Sequence, residues 1–396
     1  MTGRVRFSVL LPTRNGGAYL RDVIASALGQ SCDDFELVVS DNASDDGTRQ
    51  LVAAFASDPR LRYTRLEKPV PVTENWTNAL RESRGDYFLM LGDDDAVLPG
   101  ALGRLNEVIR RNGEPECVTY NGFSFVFPGS VPDGPHGYYA DPHFVFGPEF
   151  DGEKELSLAL RHALVRDMYH FRVRFPLNMQ LTLVSRRAAE RVRGGVFRPP
   201  FPDHYALNAL LLETSRFMYI PDRLVVVGVS PKSFGHYFYS DRQEEGVRYL
   251  GLSSDFAGKM PGSELLNSMC VWLMLLRTEY SEHLGCTEIN RRSYAGRQAY
   301  HWFRQFEFGR LPLTEIARRS RALSVLEWAS FIPALFLHRG ALRLLRGAGL
   351  LERNRLEDAW RRLHPLSGVN SMAEFVRWAT ESREAVARQP APLGVA

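Results

Sequence analysis

The 396-residue chain predicts an α/β fold: a mostly parallel, Rossmann-like sheet with helices on both faces, followed by a C-terminal helical region. Three observations predict it. Short apolar runs alternate with amphipathic segments over residues 1–125. Those runs are apolar almost throughout rather than at every second position, as strands covered on both faces require. Past about Val247 the strand-like runs stop and helical spacing continues.

In chain order, Arg6–Leu11 (RFSVLL), Phe35–Ser40 (FELVVS), Leu61–Leu66 and Tyr87–Leu91 (YFLML) are the strands expected first. Helical spacing lies between them, at Tyr19, Leu20, Val23, Ile24, Ala27 and Leu28, then Leu51, Val52 and Phe55, then Trp76, Ala79 and Leu80. Trp76 reads there as core. Leu102, Leu105, Val108 and Ile109 repeat the pattern after Pro99, which suits a first helical turn. From Phe127 to Pro148, Gly, Pro, His and aromatics predict a long loop, either functional or poorly ordered. A helix is expected over Leu156–Phe171, strands at Leu181–Ser185 and Pro221–Gly228, and a Pro-rich frayed tail after Arg388. The expected organisation is two halves of one α/β domain, residues 1–120 and 121–246, and a helical region over 247–396.

Composition narrows the function. A formal net charge of +3, from 49 basic and 46 acidic residues, gives no whole-chain electrostatic case for nucleic acid. The four cysteines form no CxxC pair and no zinc spacing, so a reduced, cytoplasmic setting is expected. Met1–Arg6 run straight into the first strand, so no secretory leader is expected, and no apolar stretch of about 18 residues predicts a membrane span. No GxGxxG follows the first strand, which excludes a dinucleotide-dependent oxidoreductase.

Ligands of open parallel sheets bind beyond the carboxyl ends of the strands. Three polar clusters fall there: Pro12-Thr13-Arg14-Asn15 after the first strand, Asp41-Asn42 after the second, and Gly92-Asp93-Asp94-Asp95 after YFLML. Three consecutive carboxylates repel unless a cation or protons neutralise them. Oxygen-only donors with no neighbouring Cys or His suit Mg²⁺ or Mn²⁺, which points to a metal-bound diphosphate. A solvated turn capping the helix after Pro99 is the plainer alternative.

With its order and spacing over residues 6–110, this constellation resembles family 2 glycosyltransferases of the GT-A fold. The carriers are Leu10–Asn15, Val38–Thr48 (VVSDNASDDGT), Gly85-Asp86-Tyr87, and Leu91–Asp95 leading into Leu98-Pro99. The resemblance implies that Pro12, Thr13, Arg14, Asn15 and Asp41 hold the nucleotide base and that Asn75 flanks its pocket. It implies Asp93 near the ribose and Asp94 as the metal ligand, with Asp95 a second ligand. Gly92 stands where the family's motif commonly begins with Asp. Ser44 or Asp46 is expected to cap the next helix.

An inverting transfer needs a base for the acceptor hydroxyl. The resemblance points to Asp203, in Pro202-Asp203-His204-Tyr205, where similar enzymes carry an acceptor-side Asp; a helix N-cap is its structural alternative. Lys232 and His236 are candidate diphosphate contacts, with plain surface-loop roles as the rival reading. Residues 315–362 hold ten Arg against five acids beside the apolar Val325–Leu337, which suits either a packed helical layer or peripheral contact with anionic lipid. The expected function is therefore metal-dependent, inverting sugar transfer. The donor is a nucleotide-diphosphate sugar, UDP-sugar by default. The acceptor is a glycan, a lipid-linked or a small-molecule hydroxyl, and the setting is cytoplasmic, with contact at the inner membrane face through the Arg-rich helices. The rivals are a sugar-1-phosphate nucleotidyltransferase, for which Pro12–Gly17 offers only one Arg, and a non-catalytic nucleotide-sugar or glycolipid scaffold, which Gly92 would suit.

Overall fold

A computed structural model of the chain describes residues 5–130, 136–233, 255–307, 310–321, 323–329 and 363–387. The four strands expected first are present as β1 (Phe7–Thr13), β2 (Phe35–Asp41), β3 (Leu61–Arg65) and β4 (Tyr87–Met90). They pair in parallel in the order β4-β1-β2-β3. Alternation within β1 shows why its sequence is apolar throughout. Phe7, Val9 and Leu11 enter one core with α1 (Leu20–Leu28) and α4 (Ala101–Arg111). Leu10 points the other way, into a core with α5 (Leu158–Met168) and α7 (Pro202–Glu213).

Beyond β4 the sheet becomes mixed. β9 (Thr182–Ser185) runs antiparallel to both β4 and β6 (Cys117–Val126). β10 (Phe217–Val229) lies parallel along β6 and contains the expected Pro221–Gly228 run. The short β5 (Ala96–Val97) and β8 (Lys154–Glu155) pair antiparallel with β10. The long loop expected over Phe127–Pro148 contains a strand, β7 (Gly137–Ala140), antiparallel to the end of β6. β6 spans the expected boundary at residue 120, so the two halves share one sheet.

The described part of the C-terminal region is mainly helical, as expected, with α8 (Glu264–Glu279) packed on α7 and burying Trp272 and Leu273. Its end departs from a purely helical region. β11 (His364–Leu366) pairs with β7, and a helix over Met372–Ala387 seats Met372 and Phe375 against Phe123 and Phe125 of β6. This last segment therefore completes the sheet's edge. No described helix is long and apolar enough to cross a membrane.

Candidate active site

Three strand ends build the rim. Asn42 N–H donates to Thr13 O at 2.9 Å, and Thr13 Oγ1 donates to Asp93 Oδ2 at 3.0 Å. Asn15 takes a left-handed backbone, φ 56°. Its N–H donates to Ser44 Oγ at 2.9 Å, and its Oδ1 accepts from Asp45 N–H. The loops after β1, β2 and β4 are thus tied directly to one another. Lys232, from the turn after β10, joins them by donating from Nζ to Asn15 O at 2.7 Å. Arg14 is half-buried at this rim and pairs with no carboxylate among the described residues.

Asp41 is fully buried at the end of β2. Its Oδ2 accepts from Tyr63 Oη at 2.6 Å and lies 3.5 Å from Arg65 Nε, while Oδ1 accepts from Ser44 N–H. Burial and the carboxylate hold the Tyr63 phenol well above its ordinary range. The N-cap of α2 (Thr48–Ala53) is Gly47, without a side-chain cap, rather than the expected Ser44 or Asp46; Asp46, just before it, accepts from Thr48 N–H and Oγ1 and from Gly17 N–H. Trp76 meets Phe197 edge-to-face at 5.3 Å, as core.

The acidic triplet divides its labour. Burial, then the neighbouring charge of Asp94, raises Asp93 and Asp95 to about 7, and burial raises Asp94 as well. Asp94 Oδ2 accepts from Ser230 N–H at 3.1 Å and from Ser233 Oγ, whereas Oδ1 takes no hydrogen bond from any other described residue. Asp95 is 1% exposed and faces inward. Its Oδ1 accepts from Gly228 N–H at 2.8 Å and its Oδ2 from Gly92 N–H at 2.5 Å.

That geometry explains two glycines. A Cβ at Gly92 would stand 2.9 Å from Asp95 Oδ2 and 3.4 Å from Asp94 Oδ1, so the missing side chain leaves room for Asp95 to fold back. A Cβ at Gly228 would stand 1.8 Å from Asp94 O, a backbone atom that cannot yield. Gly228→Ala should therefore push β10 off the acidic loop. The expected cost is about 1–3 kcal/mol of stability, with weaker metal-dependent nucleotide binding, read by thermal melting and titration calorimetry.

Two expected site residues are placed differently. Asn75 is 3% exposed and turned into the fold: its Oδ1 accepts from Ser40 Oγ at 2.7 Å and its Nδ2 donates to Ser40 O. Its amide ties α3 (Val72–Arg81) to β2 and faces away from the rim loops. Asp95 acts as a strut between the acidic loop and β10, with both oxygens engaged by backbone donors. His236 lies outside the described residues, as do residues 322 and 330–362 of the Arg-rich stretch. Within the described part of that stretch, Arg318 and Arg319 pair with Glu315.

Asp203 stands in the first turn of α7, after Pro202 at the position where proline's missing N–H costs nothing. Burial lifts its carboxyl to about 7. The side chain keeps 17% of its surface exposed, and its polar neighbours among the described residues are local, with His204 N–H at 3.1 Å and His204 Nε2 at 3.9 Å. His204 stacks on Phe201 at 4.6 Å and is held neutral by burial, at about 3.

Ser230, Ser233 and Tyr63 are the residues of this site that sequence patterns did not single out for a role. A serine pair three apart at a strand end is the signal that marks the first two.

Fold and rim together define an α/β protein of GT-A type, with acidic and hydroxyl groups gathered at the carboxyl ends of its parallel strands. Residues 8–132, about a third of the chain, match the family model described as glycosyl transferase family 2. The chain is similar to an uncharacterized glycosyltransferase, YfnE, of Bacillus subtilis, at 35% identity over 23% of this chain and 23% of that protein. It is also similar to a GalNAc(5)-diNAcBac-PP-undecaprenol beta-1,3-glucosyltransferase of Campylobacter jejuni, at 35% identity over 25% of this chain and 33% of that one. The matched stretches thus span a third or less of these two relatives. Among solved structures, S. aureus TarS 1–349 in complex with UDP-GlcNAc aligns over 96% of this chain and 92% of its own, with 15% identity and a TM-score of 0.49.

Proposed function

We propose that this chain transfers a sugar from a nucleotide-diphosphate sugar to an acceptor hydroxyl, with inversion and with a divalent cation. The observation that supports it best is the rim itself, where buried carboxylates at the end of β4 meet the loops after β1 and β2. The donor set fits Mn²⁺ or Mg²⁺. All its atoms are oxygens, and Asp94 Oδ1 is free of other described partners. Among the described residues no three carboxylate, imidazole or thiol groups are arranged to hold a metal by themselves. A hard cation that takes one or two carboxylates and completes its shell with phosphate and water suits that arrangement.

Asp94 would hold the ion, with Asp93 beside it next to the ribose. When bound, the ion supplies positive charge against the diphosphate as it departs. The chain's own residues do the rest. The loop Pro12–Asn15 and Asp41 form the base side, with Arg14 as a cation available to the nucleotide and Lys232 as a second near the diphosphate. Asp203 takes the proton from the acceptor hydroxyl as the sugar leaves its phosphate. His204, neutral and weakly basic, is unsuited to that step. UDP-sugar is the default donor. The acceptor is a glycan, a lipid-linked or a small-molecule hydroxyl; a lipid-linked one would match the name of the Campylobacter relative and a cytoplasmic enzyme resting on the inner membrane face. Gly92, the feature favouring a degenerate scaffold, has its own explanation in the close approach of Asp95.

The test is sugar transfer or donor hydrolysis measured with UDP-, GDP- and dTDP-sugars, with and without Mn²⁺, across pH. A base at about 7 must be ionised to act, so kcat/KM should rise with pH and level off above about 7. A flat profile from pH 5 to 9, measured where chemistry limits the rate, would remove Asp203 from the base role.

A further inference from the structure

We propose that the Ser230–Ser233 turn is a positioning element for the metal carboxylate, with Ser233 fixing Asp94 so that Oδ1 is the oxygen left for a cation; this rests on the metal-dependent function proposed above. The turn is closed on itself. Ser233 N–H donates to Ser230 O at 3.0 Å, Ser230 N–H donates to Ser233 Oγ at 2.8 Å, and Lys232 N–H donates to Ser230 Oγ at 3.3 Å. Ser233 Oγ, oriented by the bond it accepts, donates its single proton to Asp94 Oδ2. Ser230 N–H reaches the same oxygen, and Ser230 is 1% exposed.

Both donors therefore fall on one oxygen of Asp94, and no other described residue donates to the second. A carboxylate free to rotate presents two equivalent oxygens and loses that freedom when a cation binds; one already held by a hydroxyl and an amide has less to lose. The same turn carries Lys232, whose Nζ donates to Asn15 O in the loop after β1. A four-residue segment at the end of β10 thus joins the acidic loop to the loop expected to hold the base. Gly228, two residues before it, lets the strand approach the Asp94 backbone closely enough for these contacts to form. Ser233 touches neither sugar nor phosphate in this scheme and acts through Asp94.

The test is the uptake of Mn²⁺ in the presence of UDP, followed by the loss of the free-ion electron paramagnetic resonance signal, on the full chain. Ser233→Ala should bind Mn²⁺ roughly 10- to 100-fold more weakly. Ser233→Thr, which keeps the hydroxyl, should bind it near the wild-type level, and both variants should melt with the wild type. Equal Mn²⁺ uptake by Ser233→Ala and wild type would overturn the positioning role while leaving the metal site in place. Weak uptake by Ser233→Thr as well, with lowered melting temperatures, would also overturn it, because the turn would then matter only for folding. A wild-type chain that takes up no Mn²⁺ with UDP would overturn the metal-dependent function itself, and this inference with it.

Discussion

Asp94→Asn should weaken Mn²⁺-dependent binding of a nucleoside diphosphate by more than about 100-fold, beyond the usual effect of losing a residue that only supports a metal ligand. The substitution is nearly isosteric, so packing is preserved. What changes is charge. The free Oδ1 loses its share of the anion, and the new amide can place an N–H where the cation would sit. Ser233 Oγ and Ser230 N–H still have an acceptor if the amide oxygen turns towards them, which keeps the loop in place. Removing one of three crowded, buried carboxylates also relieves the repulsion that, after burial, helps raise Asp93 and Asp95 to about 7. The variant should therefore melt at or above the wild-type temperature without metal while failing to bind the nucleotide. Loss of binding accompanied by loss of fold would point to a structural role instead. Undiminished Mn²⁺ dependence would move the ligand to Asp93.

Asp203→Asn should lower kcat by about 10²- to 10⁴-fold with nucleotide affinity unchanged, the span a positioned general base contributes. A second readout separates chemistry from packing. Burial raises the Asp203 carboxyl to about 7, against about 4 in an unfolded chain. The folded state thus keeps a proton that the unfolded chain releases, so this group favours folding less as pH climbs from about 4 to 7. Asparagine carries no such charge, so the variant should gain melting temperature relative to wild type at pH 8 and lose that advantage at pH 4. A variant that turns over near the wild-type rate would clear Asp203.

The sequence was most legible where hydrophobic pattern alone sets structure. β1 to β4 bury both faces, so their runs stand out, and the polar clusters at their ends follow from geometry. β6 was harder. Asn121 and Gly122 interrupt its apolar run, Asn121 because its side chain bonds to the backbone at Phe144 and Gly122 because β10 passes so close that a Cβ would lie 2.6 Å from Val225 O. β11 is only three residues long, includes Pro365, and exists through pairing with β7 far away in the chain. Long-range pairing of that kind leaves no local period.

Within the site, residue types were legible and orientations were not. Asp93, Asp94 and Asp95 are chemically identical in the sequence, yet one meets Thr13, one the serine turn and one the interior. Which way each points is set by Gly92 and Gly228, whose importance lies in side chains they lack. Asn75 likewise sits beside the rim in sequence order but turns its amide inward, where the buried Ser40 Oγ donates to it and accepts from Asn78.

The measurement that bears most directly on the proposed function is calorimetric titration with UDP, GDP, dTDP and CDP, each with and without Mn²⁺. One nucleotide should bind clearly and need the metal to do so, with UDP the first expected. Binding of none of the four under either condition would contradict the proposed function and leave a GT-A-type sheet that serves as a scaffold.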